Sequence, residues 1–231
     1  MLPRQRQIQL QDFVARLGLP TLSGIDWHWL DQALIHPSAN VGLDNDRLEF
    51  LGDAVLRHLA TEFLFLAYPQ ATPGELTVWR SHLTSDRFLV SLAEQFDLES
   101  VLIVGPTVND LGRPRRLADA WEALLGALAL SWREHSLPRL HPWLDPYFQA
   151  EVEQLQRDPI AHNPKAALQE WTQSRWGTLP EYRLVSQLGP ANAPQFQVQV
   201  WIQGQCWGEG SGSSKKAAEA MAARQALQKL H

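Results

Sequence analysis

The sequence predicts an all-α domain over residues 1–153, a linker over 154–161 and a small α+β domain of order α-β-β-β-α over 162–231. Three observations predict it. Apolar residues recur at three- and four-residue spacing through the first 150 positions, the helical period. Near residue 196 the period switches to two, the strand period. Between them an acidic, Gln-rich piece from Glu151 to Gln156 runs into Arg157-Asp158-Pro159-Ile160-Ala161-His162-Asn163-Pro164, which reads as a helix end followed by a linker. At 231 residues the chain has room for two modest domains.

In chain order, the helical stripes run through Leu48, Leu51, Val55 and Leu59, then Phe88, Leu92 and Phe96, then Leu117, Trp121, Leu124 and Leu128. Breaks fall at Tyr68-Pro69 to Pro73-Gly74, at Gly105-Pro106 to Pro114, and at Leu137-Pro138. In the second domain Asn163 is placed to cap a helix whose first residue is Pro164 and which runs to about Arg175. Phe196, Val198, Val200 and Ile202 then alternate with glutamines, and Gly204-Gln205 fits a tight turn into Cys206-Trp207-Gly208. A last helix runs from about Ser213 to Leu230.

Hydrophobic residues at 45% and charged residues at 19% exclude a wholly disordered chain. The longest strongly apolar stretch, Trp121 to Trp132, is broken by Glu122 and falls short of the roughly 20 residues a membrane helix needs. The N-terminus lacks a signal-peptide core, and a lone Cys206 excludes both an internal disulfide and a cysteine-based zinc cluster. These features predict a soluble, cytoplasmic protein with no membrane partner. The net charge of −5 is unevenly spread: residues 1–159 hold 13 Arg, no Lys and 21 acids, whereas residues 160–231 hold 7 basic residues against 4 Glu. An acidic body with a mildly basic tail suggests two separate tasks.

Asp46, Glu49 and Asp53 fall within roughly 60° of one another on a helix. Three acids on a helix are commonly a solvated face, but Ala60 and Leu64 continue this one and Phe50 sits beside it, so the face is not simply turned to water. A second pair, Asp119 and Glu122, adjoins the Trp121/Leu125/Leu128 stripe. Two unit charges 4 Å apart repel by about 4 kcal/mol at an effective dielectric near 20, so gathered carboxylates either protonate or bind cations. Hard oxygen ligands suit Mg²⁺ or Mn²⁺, and such a site polarises a phosphoryl oxygen and activates water for in-line attack. Spacing alone does not show that the two helices meet.

The stretch from Asp46-Arg47-Leu48-Glu49-Phe50-Leu51-Gly52-Asp53 to Leu56 resembles the defining motif of the ribonuclease III family. Leu117-Ala118-Asp119-Ala120-Trp121-Glu122-Ala123-Leu124-Leu125-Gly126 resembles its second acidic motif, and Ala33-Leu34-Ile35-His36-Pro37-Ser38 its upstream helix segment. The resemblance implies an all-helical, Mg²⁺-dependent endonuclease that cuts double-stranded RNA to 5′-phosphate and 3′-hydroxyl ends with short 3′ overhangs, in the processing of ribosomal precursors and structured messenger and transfer RNA transcripts. It further implies that Glu49, Asp119 and Glu122 ligate metal and that Asp53 and Glu122 are the essential catalytic carboxylates. It implies a homodimer with the Phe50 ring inserted into the partner, and a close helix approach at Gly52, where the plain alternative is a tolerated glycine costing about 1 kcal/mol. Two positions depart from the family pattern. Asp46 stands where Glu is usual, keeping the charge with a shorter reach. Pro73 stands where Glu commonly precedes Gly, so that Glu75 either substitutes as a secondary active-site acid, beside Asp46, or merely favours a helix N-terminus.

In the second domain Lys215 and Lys216 open the last helix, where cations oppose the helix dipole unless a phosphate sits there too. Gly210-Ser211-Gly212-Ser213-Ser214-Lys215-Lys216-Ala217-Ala218 and Asn163-Pro164-Lys165-Ala166-Ala167-Leu168-Gln169-Glu170 resemble the signatures of double-stranded RNA-binding domains. The resemblance implies phosphate contacts from Lys215 and Lys216 and minor-groove contacts from Gln169, Glu170 and Asn192, the last standing where His is common; such modules read A-form shape rather than sequence. Arg113, Arg115 and Arg116 are either phosphate contacts or a solvated loop. Two rival functions stay open: a catalytically silent double-stranded RNA-binding protein, which Pro73 favours, and a small-molecule phosphohydrolase, which would not need the second domain.

Overall fold

The computed structural model describes residues 2–157, 163–190 and 194–230. The chain divides after Val152 into two compact units. The first is built of helices α1 (Arg4–Leu17), α2 (Trp27–Ala33), α3 (Asp46–Ala67), α4 (Pro73–Leu83), α5 (Asp86–Gln95), α6 (Arg113–Trp132) and α7 (Ser136–Arg157). Their starts carry local signals. The Asp26 carboxylate accepts from His28 N–H, the Ser85 hydroxyl accepts from Phe88 N–H, and Thr72 and Glu75 form a reciprocal capping box around Pro73. The upstream segment is pinned at its end: His36 N–H donates to the Ile103 carbonyl, and Gly105 N–H donates to the Ser38 hydroxyl at 2.9 Å.

The core of this unit gathers around Trp121, with Phe13, Leu56, Leu89 and Phe148 also buried and Phe96 stacked on Trp121 at 5.6 Å. The stripes expected on α5 and α6 are all buried. On α3 the buried face is Leu48, Gly52, Leu56, Leu59, Ala60, Phe63 and Leu64, so Leu51 and Val55 are only half-buried. The face is turned by one residue from the expected stripe because Gly52, not a large side chain, meets α6. A Cβ on Gly52 would lie 1.7 Å from the Glu122 carbonyl oxygen, and one on Gly126 would lie 2.3 Å from the Leu48 carbonyl oxygen. The two helices therefore cross with backbone against backbone. Helix α7 continues to Arg157 despite Pro142 and Pro146 inside it, so residues 154–157, expected to begin the linker, are helical. Residues 158–161 lie outside the described residues.

The second unit contains α8 (Pro164–Trp176), β1 (Glu181–Leu188), β2 (Gln195–Ile202), β3 (Gln205–Gly212) and α9 (Lys215–Leu230). The strands form an antiparallel sheet in the order β1-β2-β3. Asn163 caps α8 by accepting from Ala166 N–H, as its sequence position predicts. Val200 and Ile202 point into a core shared with Leu168, Ala222, Ala223, Ala226 and Leu227, and Val198 on the same strand is also buried. The hairpin turn is centred one residue earlier than expected: Gln203 and Gly204 both take positive φ, 50° and 77°, the demand of a type I′ turn, while Gln205 already pairs with Ile202.

Candidate active site and RNA-binding surface

The glycine crossing decides where the acids lie. Glu49 and Asp53 flank Gly52 by three residues and one, and Glu122 precedes Gly126 by four, so the close approach sets both acidic motifs side by side. Oxygen atoms of Glu49, Asp119 and Glu122 lie within 4.8 Å of one another. They line a cleft of about 370 Å³ together with Asp46, Asp53 and Asp86 and the guanidiniums of Arg57 and Arg115. Asp119 is 17% exposed and Glu49 26%, whereas Asp53 is 38% exposed. A larger groove of about 590 Å³ elsewhere on this unit, lined by Trp27, His28, Trp29 and Arg133, holds a single carboxylate, Asp26, and no comparable chemistry.

Crowding and burial raise the proton affinity of the three converging acids. Burial, then the charges of Asp53, Glu49, Asp119 and Asp86, push Glu122 up to about 7. Burial and Asp119 raise Glu49, while Asp119 is raised by burial against the opposing pull of Arg115. The cluster thus needs positive charge. Arg57 Nε donates to both Asp53 oxygens at 2.8 and 2.9 Å, and Arg115 Nε donates to Asp119 at 2.7 Å with Glu49 3.7 Å away. Three carboxylates converging from two helices, with no thiolate among them, form a donor set that fits a hard divalent cation.

Other expected site residues fall as follows. Asp46 lies on the rim of the cleft. Glu75 is not among the groups that line it: its carboxylate accepts from Thr72 N–H and Oγ, both at 2.7 Å, which lowers its pKa and makes it a helix cap rather than a secondary acid of the cleft. Phe50 is 83% exposed at the edge of the cleft, beside a hollow lined by Trp29, Leu48, Leu51 and Leu130. Arg113, Arg115 and Arg116 are not in a loop but in the first turn of α6; Arg113 is bonded to Glu94 and Glu99, and Arg116 to the Asn109 carbonyl. Asp86 was not singled out by the sequence. Its only signal is the Ser85-Asp86 helix start, which reads equally as an acid facing a dipole. Arg57 was legible in principle, four residues after Asp53.

In the second unit Gln169 and Glu170 are exposed on α8, and Lys215 and Lys216 are exposed at the first two positions of α9. Neither lysine has an ion-pair partner among the described residues. Lys165, by contrast, bonds Glu219 at 2.6 Å and lies over the Tyr182 ring, tying α8 to α9 and β1. Asn192 lies outside the described residues.

An acid cleft at a helix crossing and a separate α-β-β-β-α unit with paired lysines define a nuclease body joined to a nucleic-acid-binding module. Residues 46–132 match the Ribonuclease III domain family and residues 164–230 the Double-stranded RNA binding motif. Ribonuclease 3 of Gloeobacter violaceus is 47% identical over 97% of this chain and 93% of its own length, and Ribonuclease 3 2 of a Nostoc species is 45% identical over 96% and 93%. Among solved structures, a nuclease domain of ribonuclease III from Campylobacter jejuni, studied for flexibility in a region involved in dimer formation, aligns with a TM-score of 0.54 at 27% identity over 61% of this chain and 99% of that one. The chain belongs to the ribonuclease III family of endoribonucleases.

Proposed function

We propose that the protein is a Mg²⁺-dependent endonuclease of double-stranded RNA, with Mn²⁺ able to substitute. The observation that carries this reading is the convergence of Glu49, Asp119 and Glu122 within 4.8 Å. These three would hold the ion, and Asp53 and Glu122 would be the essential carboxylates. A bound divalent cation supplies positive charge at a phosphodiester oxygen and makes water more acidic. The chain's own residues do the rest. Glu122 has a high proton affinity in the ion-free cleft and would give up its proton on taking up the ion. Lys215 and Lys216, exposed at a helix N-terminus, grip phosphate, and Gln169 and Glu170 reach the minor groove. Nothing here calls for a covalent enzyme intermediate.

The exposed Phe50 beside its apolar hollow favours a homodimer through α3, whose two clefts would cut the two strands to leave 5′-phosphate, 3′-hydroxyl and short 3′ overhangs. Natural substrates in this reading are ribosomal precursors and structured messenger and transfer RNA transcripts in the cytoplasm. Incubating the full chain with a long RNA duplex and Mg²⁺ tests it. Wild type cuts, and Glu122→Ala binds the duplex without cutting. Binding with no cutting by wild type would identify instead a silent RNA-binding protein.

A further inference from the structure

The two guanidiniums that face the acid cleft are held differently. Arg57 chelates Asp53 from four residues further along α3, the favourable order for an acid and a base on a helix. Arg115 reaches forward to Asp119, the weaker order, and stands in the first turn of α6, where the helix dipole repels a cation. The helix dipole disfavours an arginine there; what holds it is Asp119, four residues on at 2.7 Å, and Glu49 of α3 at 3.7 Å, two of the three converging acids. Its side chain is 68% exposed, so no packing locks it in place.

We infer that Arg115 is a resident counter-ion that holds Glu49 and Asp119 together before a divalent ion arrives and is displaced when it does. This rests on the metal-holding role proposed for those acids. Ion uptake and guanidinium release are then a single exchange. Arg115 steadies the ion-free cleft against its own repulsion and in return weakens the apparent affinity for the ion. Arg57 serves as the internal control, because it carries the same charge in the same cleft but holds Asp53, which is outside the converging three.

The test is a calorimetric titration of the full chain with Mn²⁺, without RNA, alongside thermal melting. Arg115→Gln is expected to bind Mn²⁺ about fivefold more tightly than wild type, the scale of one exposed ion pair. Its ion-free form melts at a lower temperature than wild type, and the two converge at saturating Mn²⁺. Arg57→Gln tightens binding less. An Arg115→Gln protein that binds no more tightly than wild type, or no more tightly than Arg57→Gln, overturns the exchange and leaves only a bulk charge effect. A wild type that takes up no Mn²⁺ removes the metal-holding role itself, and the exchange with it; wild-type uptake with an indifferent Arg115→Gln removes the exchange alone.

Discussion

Both units bring backbone against backbone across glycines, but to different ends. In the first, Gly52 and Gly126 let α3 touch α6, and the acids sit within a turn of the contact on both helices. In the second, Gly208, Gly210 and Gly212 let β3 lie against α9, where added Cβ atoms would meet the Ala222 and Ala218 carbonyl oxygens and the Ala217 side chain at 2.2, 2.3 and 2.8 Å. The lysines there protrude from the end of α9, beyond the contact. In the first unit the approach distance sets the geometry of the proposed metal site; in the second it only secures the helix that carries the proposed lysine contacts. Disturbing the first contact should strike chemistry directly, and disturbing the second should strike stability first.

Gly52→Ala is the most severe way to break this contrast. Alanine is intrinsically the better helix former by about 1 kcal/mol, yet its methyl would meet a backbone carbonyl that cannot move aside, so a loss of about 3 kcal/mol or more is expected. Melting and Mn²⁺ uptake should both collapse, and a stabilised variant would refute the crossing. Gly210→Ala comes next, at about 1–3 kcal/mol, with its Cβ 2.3 Å from both Ala218 O and Ala222 N. Duplex binding should fall while Mn²⁺ uptake persists, and loss of both would erase the distinction between the units.

The pH dependence sharpens the contrast, since the acids are strained only when ionised. Glu122 has a folded value, about 7, above its ordinary 4.5, so the folded state binds the extra proton between those limits. Its contribution to stability is present in full below the ordinary value and is lost as pH rises through about 7. In chelator the melting temperature should decline from pH 5 to pH 7.5, and Glu122→Gln should flatten that decline; an unchanged slope would locate the pH effect elsewhere. Replacing Lys215 and Lys216 together by Ala should weaken duplex binding and reduce its logarithmic salt slope by about two, with melting unchanged; an unaltered slope takes both lysines off the RNA. The smallest effect is expected from Thr72→Ala, which removes one half of the α4 capping box, at about 1 kcal/mol, with cleavage intact. A loss of cleavage beyond that of stability would return Glu75 to the active site.

Much of this was legible beforehand because it is local. Caps such as Asn163, the α6 stripe and the alternation through Val198, Val200 and Ile202 follow from neighbours in sequence. The acids were legible as two groups, but their meeting depends on Gly52 facing Gly126, a match between residues 74 positions apart that no periodicity displays. The same absence misplaced the buried face of α3 by one residue. Asp86 and Arg115 show how far a short motif reaches: one looks like an ordinary helix start and the other like a phosphate contact or a solvated loop residue until tertiary packing sets them against the cleft. Glu75 is the converse, a carboxylate whose local capping role outweighed its likeness to a functional acid.

Lys165 carries a last consequence. With its ammonium committed to Glu219 and Tyr182, and with Arg183 bonded to Glu181, the second unit offers a polyanion fewer unengaged cations than its composition counts. With fewer phosphates neutralised, its hold on a duplex is weaker at low salt but falls less steeply as ionic strength rises.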